Sequence, residues 1–177
     1  MVHNLTAGEK ALLNPIFKLM LPYSRIVCKV NTDNIGGSGN SITPKGTPYF
    51  SVSVYTPDFS TAGLAKQWVF VHEMTHVWQY YHGQNVILEA IGLGIQKMGN
   101  YGASYAYALT PTSNFGDFNL EQQASIVADY WILTKGGIPQ DNLAKTPKLA
   151  DYTSTMKDFS AGGPPHRPSL DDYPSTW

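Results

Sequence analysis

The sequence has few charged residues, a single cysteine and no long apolar run. Asp, Glu, Lys and Arg make up only 14% of its 177 residues, and the formal net charge is -1. Such a balance gives no long-range attraction for nucleic acid or for an anionic membrane. No apolar run approaches the roughly 20 residues that span a bilayer. We therefore expect no nucleic-acid partner and no membrane span.

The shortage of cysteine excludes an intrachain disulfide, because Cys28 has no second cysteine to pair with. Its neighbours Ile26, Val27 and Val30 are apolar, which predicts that Cys28 is a small buried side chain. The amino terminus also lacks the basic and then apolar stretches of a secretory signal peptide. If the protein acts outside the cell that makes it, we expect export by a route that needs no signal peptide.

Residues 72–76, with the sequence His-Glu-Met-Thr-His, are the most informative part of the chain. On a helix, residues i and i+4 lie one above the other, so the rings of His72 and His76 can reach one metal ion. Glu73 is turned by about 100° from His72, which keeps it off the metal but within reach of a water that the metal activates. The motif predicts two zinc ligands and a general base.

The alternative is a core helix with two hydrogen-bonded histidines and a paired glutamate. The residues around the motif, from 69 to 78, are otherwise uncharged, so this helix is expected to be buried. Burying three polar side chains without a metal costs on the order of several kcal/mol. We therefore favour the metal site.

A catalytic zinc usually takes three protein ligands, and two residues compete for the third position. His82 follows His76 at the spacing of the metzincin motif, but Gln79 stands where that motif has glycine. Met98, which precedes a glycine, is weak evidence for the Met-turn of the same group. The other candidate is Glu121, as in the His2Glu sites of gluzincins. We favour Glu121 and keep His82 as the alternative.

Glu121 opens a predicted helix over residues 119–134, with Asn119 as its N-cap. The apolar positions of this helix would pack it against the motif helix and carry Glu121 into the site. Asp129, about two turns further on, is a candidate acceptor for the outer N–H of a ligand histidine. An ordinary surface carboxylate is an equally good interpretation of Asp129.

The pattern of caps, apolar periods and turns predicts an α+β fold that is mostly helical, with a small antiparallel sheet beside the motif helix. The His-Glu-Met-Thr-His motif makes this domain resemble the zincins. Thr6 and Glu9 fit a capping box. We expect helices over 61–81, 86–98, 119–134 and 148–159, and strands over 25–31 and 49–55. The metallopeptidase domain is predicted to cover residues 1–140, and a partly irregular C-terminal extension, 141–177, is expected to pack on it.

Residues 72–79 (His-Glu-Met-Thr-His-Val-Trp-Gln) and residues 121–130 (Glu-Gln-Gln-Ala-Ser-Ile-Val-Ala-Asp-Tyr) resemble the zinc-metallopeptidase effector domains of bacterial type VI secretion. These domains include some that are fused to spike proteins. Residues 5–9, 42–50 and 105–107 fit the same family, so that the resemblance spans about residues 5–134. It implies His72, His76 and Glu121 as Zn²⁺ ligands and Glu73 as the base.

The resemblance also implies where and with what the protein works. It implies secretion by a contact-dependent system, an antibacterial role and action in the periplasm of the recipient cell. Spike components and a cognate immunity protein are the partners that it implies. A peptide or peptidoglycan-like substrate is expected. A periplasmic protein, a peptidoglycan crosslink and a host protein are all compatible with the sequence, and the residues do not distinguish among them.

The expected reaction is hydrolysis of an amide bond. Glu73 would take a proton from the attacking water and pass it to the leaving amine. The developing oxyanion needs a further donor, for which the candidates are Tyr105, Tyr107, His82 and His166. The strand over 49–55, if it is a free edge beside the metal, would align an extended substrate. The competing hypothesis is a metal-stabilised binding or delivery module without turnover.

Overall fold

The fold is described from a computed structural model, which covers residues 1–35, 39–84, 104–144 and 146–160. The helix expected over 86–98 and residues 161–177, part of the extension expected to be partly irregular, lie outside the described residues. The candidate residues Met98 and His166 lie outside them as well.

The described residues form an α+β fold in which helices predominate, as predicted. The helices are α1 (Ala7–Phe17), α2 (Leu64–Tyr81), α3 (Leu120–Thr134), α4 (Leu149–Thr155) and α5 (Lys157–Ser160). The strands are β1 (Val2–Asn4), β2 (Val27–Val30) and β3 (Tyr49–Phe50), and 3-10 turns occupy Pro44–Gly46, Phe59–Thr61 and Phe115–Asp117. The helix predicted over 148–159 is divided into α4 and α5 at Met156.

Side-chain caps set where two of the helices begin. Thr6 Oγ1 accepts a hydrogen bond from the Glu9 N–H at 3.0 Å, while the Glu9 carboxylate accepts one from the Thr6 N–H at 2.8 Å. This is the predicted capping box. Asn119 caps α3, and its Oδ1 accepts from the Gln122 N–H at 2.9 Å. The cap orients the first turn of α3, which carries Glu121.

The sheet is mixed, so the predicted antiparallel arrangement holds for only one of its strand pairs. Its order is β1-β2-β3, with β1 antiparallel and β3 parallel to β2. Cys28 on the central strand is fully buried, as predicted. The sheet lies beside α2, because the ring of Phe50 on β3 packs 6.0 Å from the ring of Phe70 on α2.

The strand predicted over 49–55 is wrong beyond Phe50. The Ser51 carbonyl accepts hydrogen bonds from the N–H groups of Val54 and Tyr55, at 3.0 and 2.9 Å, and this turn ends the strand. Val52, expected on the core face, is 70% exposed. A backbone turn has overridden the alternating pattern.

The same strand is not a free edge. Tyr49 exchanges both backbone hydrogen bonds with Ile42, at 2.8 and 2.9 Å, on one side. On the other side it pairs with Lys29 of β2. An extended substrate therefore cannot add to β3 without displacing one of these partners, which removes the support for that binding mode.

The core lies mainly between α2 and α3 and extends to the C-terminal helices. Phe159 of α5 packs 4.7 Å from the ring of Trp78 on α2 and 5.7 Å from Phe17 on α1. Tyr152 is fully buried in α4. The described part of the C-terminal extension therefore completes the same core as residues 1–140. In the described ranges, no helix has the length and apolar character needed to cross a bilayer.

Candidate metal centre

Three donor atoms from two helices converge in one place. His72 and His76 lie one turn apart on α2, and their Nε2 atoms are 3.2 Å from each other. Glu121, in the first turn of α3, places Oε2 at 3.3 Å from the His72 Nε2 and at 3.1 Å from the His76 Nε2. Among the described residues, this is the one group of three or more His, Cys, Asp or Glu side chains whose ligand atoms lie close enough together to hold a metal.

The spacing and chemistry of this cluster fit zinc. Ligand bonds of about 2.0 to 2.1 Å in a tetrahedron place the ligand atoms about 3.3 to 3.4 Å apart. The edges of the observed triangle, 3.1 to 3.3 Å, are close to that spacing. The side chains are mostly covered, with 6% exposure at His72, 5% at His76 and 14% at Glu121. Two imidazole nitrogens and a carboxylate oxygen make a His2Glu donor set.

His82 is placed elsewhere. Because α2 continues to Tyr81, His82 lies at the C-cap of the helix. Its Nδ1 is 2.7 Å from the Trp78 carbonyl oxygen, and its ring packs on that of Trp78 at 4.8 Å. Of the two candidates for the third ligand, the structure brings Glu121 to the histidine pair.

Gln79 holds His76 in the form that a metal requires. The Gln79 Nε2 donates to the Leu120 carbonyl at 2.9 Å and to Gln123 Oε1 at 3.2 Å. Its Oε1 therefore faces His76 Nδ1, at 2.7 Å. An amide oxygen only accepts, so Nδ1 carries a proton. When His76 gives up its second proton to a metal, the lone pair that is freed therefore lies on Nε2, which faces the cluster. In the sequence, Gln79 departs from the metzincin motif and ends the segment 72–79 that resembles the effector family. Its position one turn after His76 is the signal for their contact.

The charges within the cluster keep Glu121 ionised and favour a second proton on His76, which a binding metal would displace. Burial raises the pKa of Glu121, but the neighbouring His76 and His72 outweigh this effect and hold the pKa well below its usual range. Burial lowers the pKa of His76, whereas the Glu121 carboxylate raises it to a net value of about 9. Glu121 is therefore an ionised acceptor at neutral pH, as a metal ligand must be.

Glu73 is buried beside the cluster and is held by Thr43. The Thr43 hydroxyl donates to Glu73 Oε2 at 2.6 Å. Burial raises the pKa of the Glu73 carboxyl, partly opposed by His76 and His72. Sequence analysis did not single out Thr43, although it lies in the segment 42–50 that resembles the effector family.

A close approach of two backbone segments brings Thr43 to Glu73. The 3-10 turn Pro44–Gly46 packs against α2, and Gly46 has φ +70°. A Cβ on Gly46 would overlap the ring of Tyr80. Glycine at this position therefore lets the turn lie directly on the motif helix.

His72 is supported by an aromatic ring. Its Nδ1 is buried and has no hydrogen-bond partner among the described residues. The Trp68 ring stacks on the imidazole with centroids 5.3 Å apart and planes 30° apart. Tyr105, half-buried, has its ring centroid 5.8 Å from that of His72. Tyr105 is therefore placed beside the cluster, as its predicted role requires.

Tyr107, the other predicted oxyanion donor, is engaged in a different network. Its hydroxyl donates to Asp129 Oδ2 at 2.7 Å and lies 2.8 Å from the Tyr152 hydroxyl. Burial, followed by the charge of Asp129, raises the pKa of Tyr107 far above its ordinary value. The backbone of Tyr107 pairs with Asp141 and Leu143, which docks the residue against the C-terminal segment. The structure does not support Tyr107 as an oxyanion donor.

Asp129 fits neither of its two interpretations, because it is fully buried and accepts its hydrogen bonds from residues other than a histidine. Its Oδ1 accepts from Trp68 Nε1 and from the Gln140 N–H, both at 2.7 Å. Its Oδ2 accepts from the Tyr107 hydroxyl at 2.7 Å and from the Asp141 N–H at 3.2 Å. Asp129 is therefore connected to the cluster only indirectly among the described contacts: it binds the Trp68 indole, and that indole packs on the His72 ring.

Comparison with known proteins gives one related domain in sequence and in structure. No family model matches the chain. The type VI secretion system spike protein VgrG2b of Pseudomonas aeruginosa is 32% identical over 162 residues, which is 89% of this chain and 15% of that protein. A solved structure, the effector domain of Pseudomonas aeruginosa VgrG2b, matches with a TM-score of 0.67 and 29% identity, covering 89% of this chain and 82% of that one.

Proposed function

We propose that this chain, which is similar in sequence and fold to the effector domain of a type VI secretion spike protein, is a type VI secretion effector domain that hydrolyses amide bonds with zinc. The effector role is supported by the similarity to VgrG2b and to its solved effector domain. The chain corresponds to a small part of that spike protein, so a physical association with spike components is also part of the proposal.

The convergence of His72, His76 and Glu121 is the observation that carries the catalytic proposal. Their donor atoms have the spacing of three zinc ligands, and the potential base Glu73 follows His72 directly. A zinc ion held by these residues would polarise the scissile carbonyl and lower the pKa of the attacking water.

The residues of the chain would carry the proton through the reaction. Glu73 accepts the proton of the attacking water and returns it to the leaving amine. Burial raises the pKa of Glu73, which makes its carboxylate a stronger base. Thr43 holds one oxygen of that carboxylate and so fixes its direction. Tyr105, whose ring centroid lies 5.8 Å from that of His72, is the candidate donor to the developing oxyanion.

The substrate and setting follow from the proposed class. We expect a peptide or a peptidoglycan-like amide as substrate, delivery by a contact-dependent system and action in the periplasm of a recipient cell. An immunity protein in the producing cell would protect it. A metal-stabilised module without turnover is the competing function, and one substitution separates the two.

Replacing Glu73 with glutamine tests the proposal. Glu73→Gln preserves shape and keeps all three ligands, so zinc content measured by mass spectrometry should match that of the wild type. Hydrolysis of peptide and peptidoglycan libraries should fall by at least 100-fold, which is within the usual range for losing a general base. Toxicity in the periplasm should fall with it.

Asp33→Asn is the matched control, because it makes the same carboxylate-to-amide change at an exposed position. This control should retain hydrolysis and toxicity. Full toxicity of a folded Glu73→Gln protein would contradict the catalytic proposal and favour the module without turnover.

A further inference from the structure

The two histidines of the cluster are supported in different ways. The outer nitrogen of His76 donates to Gln79 Oε1 at 2.7 Å. The outer nitrogen of His72, also buried, has no such acceptor within the described part of the chain. Metal-ligating histidines normally depend on an outer hydrogen bond for ring orientation. Within the described residues, the contact that can orient His72 is therefore a packing contact.

Trp68 is in the right place to do this. It precedes His72 by one turn of α2, and side chains at i and i+4 meet on a helix surface. The indole and imidazole rings lie 30° from parallel, with centroids 5.3 Å apart. This contact restricts rotation of the imidazole about its bond to the Cβ atom. It does so only if the indole is itself fixed.

Asp129 fixes the indole. Its Oδ1 accepts the Trp68 Nε1–H at 2.7 Å, a short bond to a fully buried carboxyl. The carboxyl cannot swing away, because the Gln140 and Asp141 N–H groups and the Tyr107 hydroxyl bind it as well. Three separate parts of the chain thus hold Asp129 in place.

We propose that Trp68, anchored by Asp129, is a positioning residue that sets the orientation of His72 for metal binding. The inference rests on the proposed metal site but not on hydrolysis. Stacking on Trp68 takes the place of an outer hydrogen bond, for which His72 Nδ1 has no acceptor among the described residues. Asp129 accepts a hydrogen bond from the Trp68 indole and so supports His72 indirectly. The metal site is in this way tied to the segment after α3, since Gln140 and Asp141 bind the same carboxyl.

The test compares metal binding by Trp68→Phe, Trp68→Leu and the wild type. Phenylalanine keeps an aromatic face but has no N–H for Asp129, and leucine also loses the stacking. We expect the zinc dissociation constant, measured by competition with a chelator, to rise about tenfold for Trp68→Phe and more for Trp68→Leu, as for loss of an outer-shell partner. The visible absorption spectrum of the Co²⁺-loaded protein should change as well.

Trp131→Phe is the matched control. Trp131 is 2% exposed, and its Nε1 has no hydrogen-bond partner among the described residues. Its replacement should leave zinc affinity within about twofold of the wild type, since it supports no ligand. Circular dichroism at the temperature of measurement identifies the folded variants, and the Co²⁺ spectrum reports ligand geometry independently of stability.

The outcomes are distinct. Unchanged zinc affinity and an unchanged Co²⁺ spectrum in Trp68→Phe would overturn the inference, as would equal losses in Trp131→Phe. Should Trp68→Phe not fold, the same comparison is made with Trp68→Leu. A wild type that binds zinc but hydrolyses nothing would end the proposed activity and leave this inference standing. A wild type without zinc affinity would overturn both.

Discussion

At the scale of single residues, the site depends on side chains that never touch a metal. Gln79 sets the tautomer of His76, and Thr43 holds Glu73. Gln79 is fully buried, and its amide group is hydrogen-bonded through both its oxygen and its nitrogen. A buried amide with every partner in place has one orientation, so it transmits that orientation to His76.

Gln79→Leu should therefore weaken both the site and the fold. It removes the acceptor of His76 and leaves the Leu120 carbonyl without its donor from Gln79. We expect about a tenfold loss of zinc affinity and a loss of about 1 to 3 kcal/mol in the free energy of unfolding, from unsatisfied buried groups. Chelator competition and urea unfolding measure the two effects.

Gln67→Leu provides the comparison on the same helix. Gln67 donates to the Ser60 carbonyl and contacts no ligand in the described structure. This variant should retain zinc affinity. Equal affinities in the Gln79→Leu and Gln67→Leu proteins would contradict the role of Gln79.

The relative placement of the three motif residues could be predicted from the sequence, whereas most of the residues that support them could not. His72, Glu73 and His76 lie on one helix, whose period alone fixes their relative directions. Thr43 meets Glu73 across 30 residues of chain, and only the packing of the Pro44–Gly46 turn on α2 creates that contact. The hydrogen bond from the Tyr107 hydroxyl to Asp129 is likewise a product of tertiary packing, since the two residues are 22 positions apart.

At the scale of elements, α2 organises the site. This single helix carries the two histidines, the base, and the supports Trp68 and Gln79. The first turn of α3 adds Glu121, and the Pro44–Gly46 turn adds Thr43. A shift of α3 along α2 would therefore move Glu121 away from the two histidines. A shift of the Pro44–Gly46 turn would move Thr43 away from Glu73.

Gly46→Ala should move the Pro44–Gly46 turn away from α2. Alanine is strained at φ +70°, and its Cβ would overlap the Tyr80 ring. We expect a loss of about 1 to 3 kcal/mol in the free energy of unfolding, from backbone strain and from the displaced ring. Hydrolysis should fall too, because Thr43 moves with the turn. Urea unfolding and an amide-cleavage assay measure these effects.

Gly116→Ala is the corresponding control. A Cβ on Gly116 has open space around it, and its φ is outside the left-handed region. Its stability should remain within about 0.5 kcal/mol of the wild type. If Gly46→Ala is as stable and as active as Gly116→Ala, the close approach of the turn to α2 does not matter.

Helix ends were more predictable than strands. Thr6 and Asn119 are caps whose partners lie only three residues away, so short-range sequence determines them. Strand β3 is different, because its alternating sequence continues for several residues beyond its end at Phe50. The backbone hydrogen bonds of Ser51 stop the strand, and side-chain alternation contains no information about them.

At the scale of the whole molecule, the buried carboxylate of Asp129 connects the candidate metal site to the core and to the C-terminal segment. Asp129 binds Trp68 of α2 through one oxygen and Tyr107 through the other. Gln140 and Asp141, on either side of the predicted domain boundary, both donate to it. The similarity to an effector domain over 89% of the chain fits one folded unit carrying one site.

Zinc binding by ligand variants tests the central proposal most directly. The dissociation constant and stoichiometry of the wild type, Glu121→Gln and His82→Gln should be compared by chelator competition. We predict one zinc per chain and a loss in Glu121→Gln beyond the roughly 10- to 100-fold typical of an outer partner, while His82→Gln binds like the wild type. A wild type that binds no zinc, or a loss in His82→Gln with Glu121→Gln intact, would contradict the account.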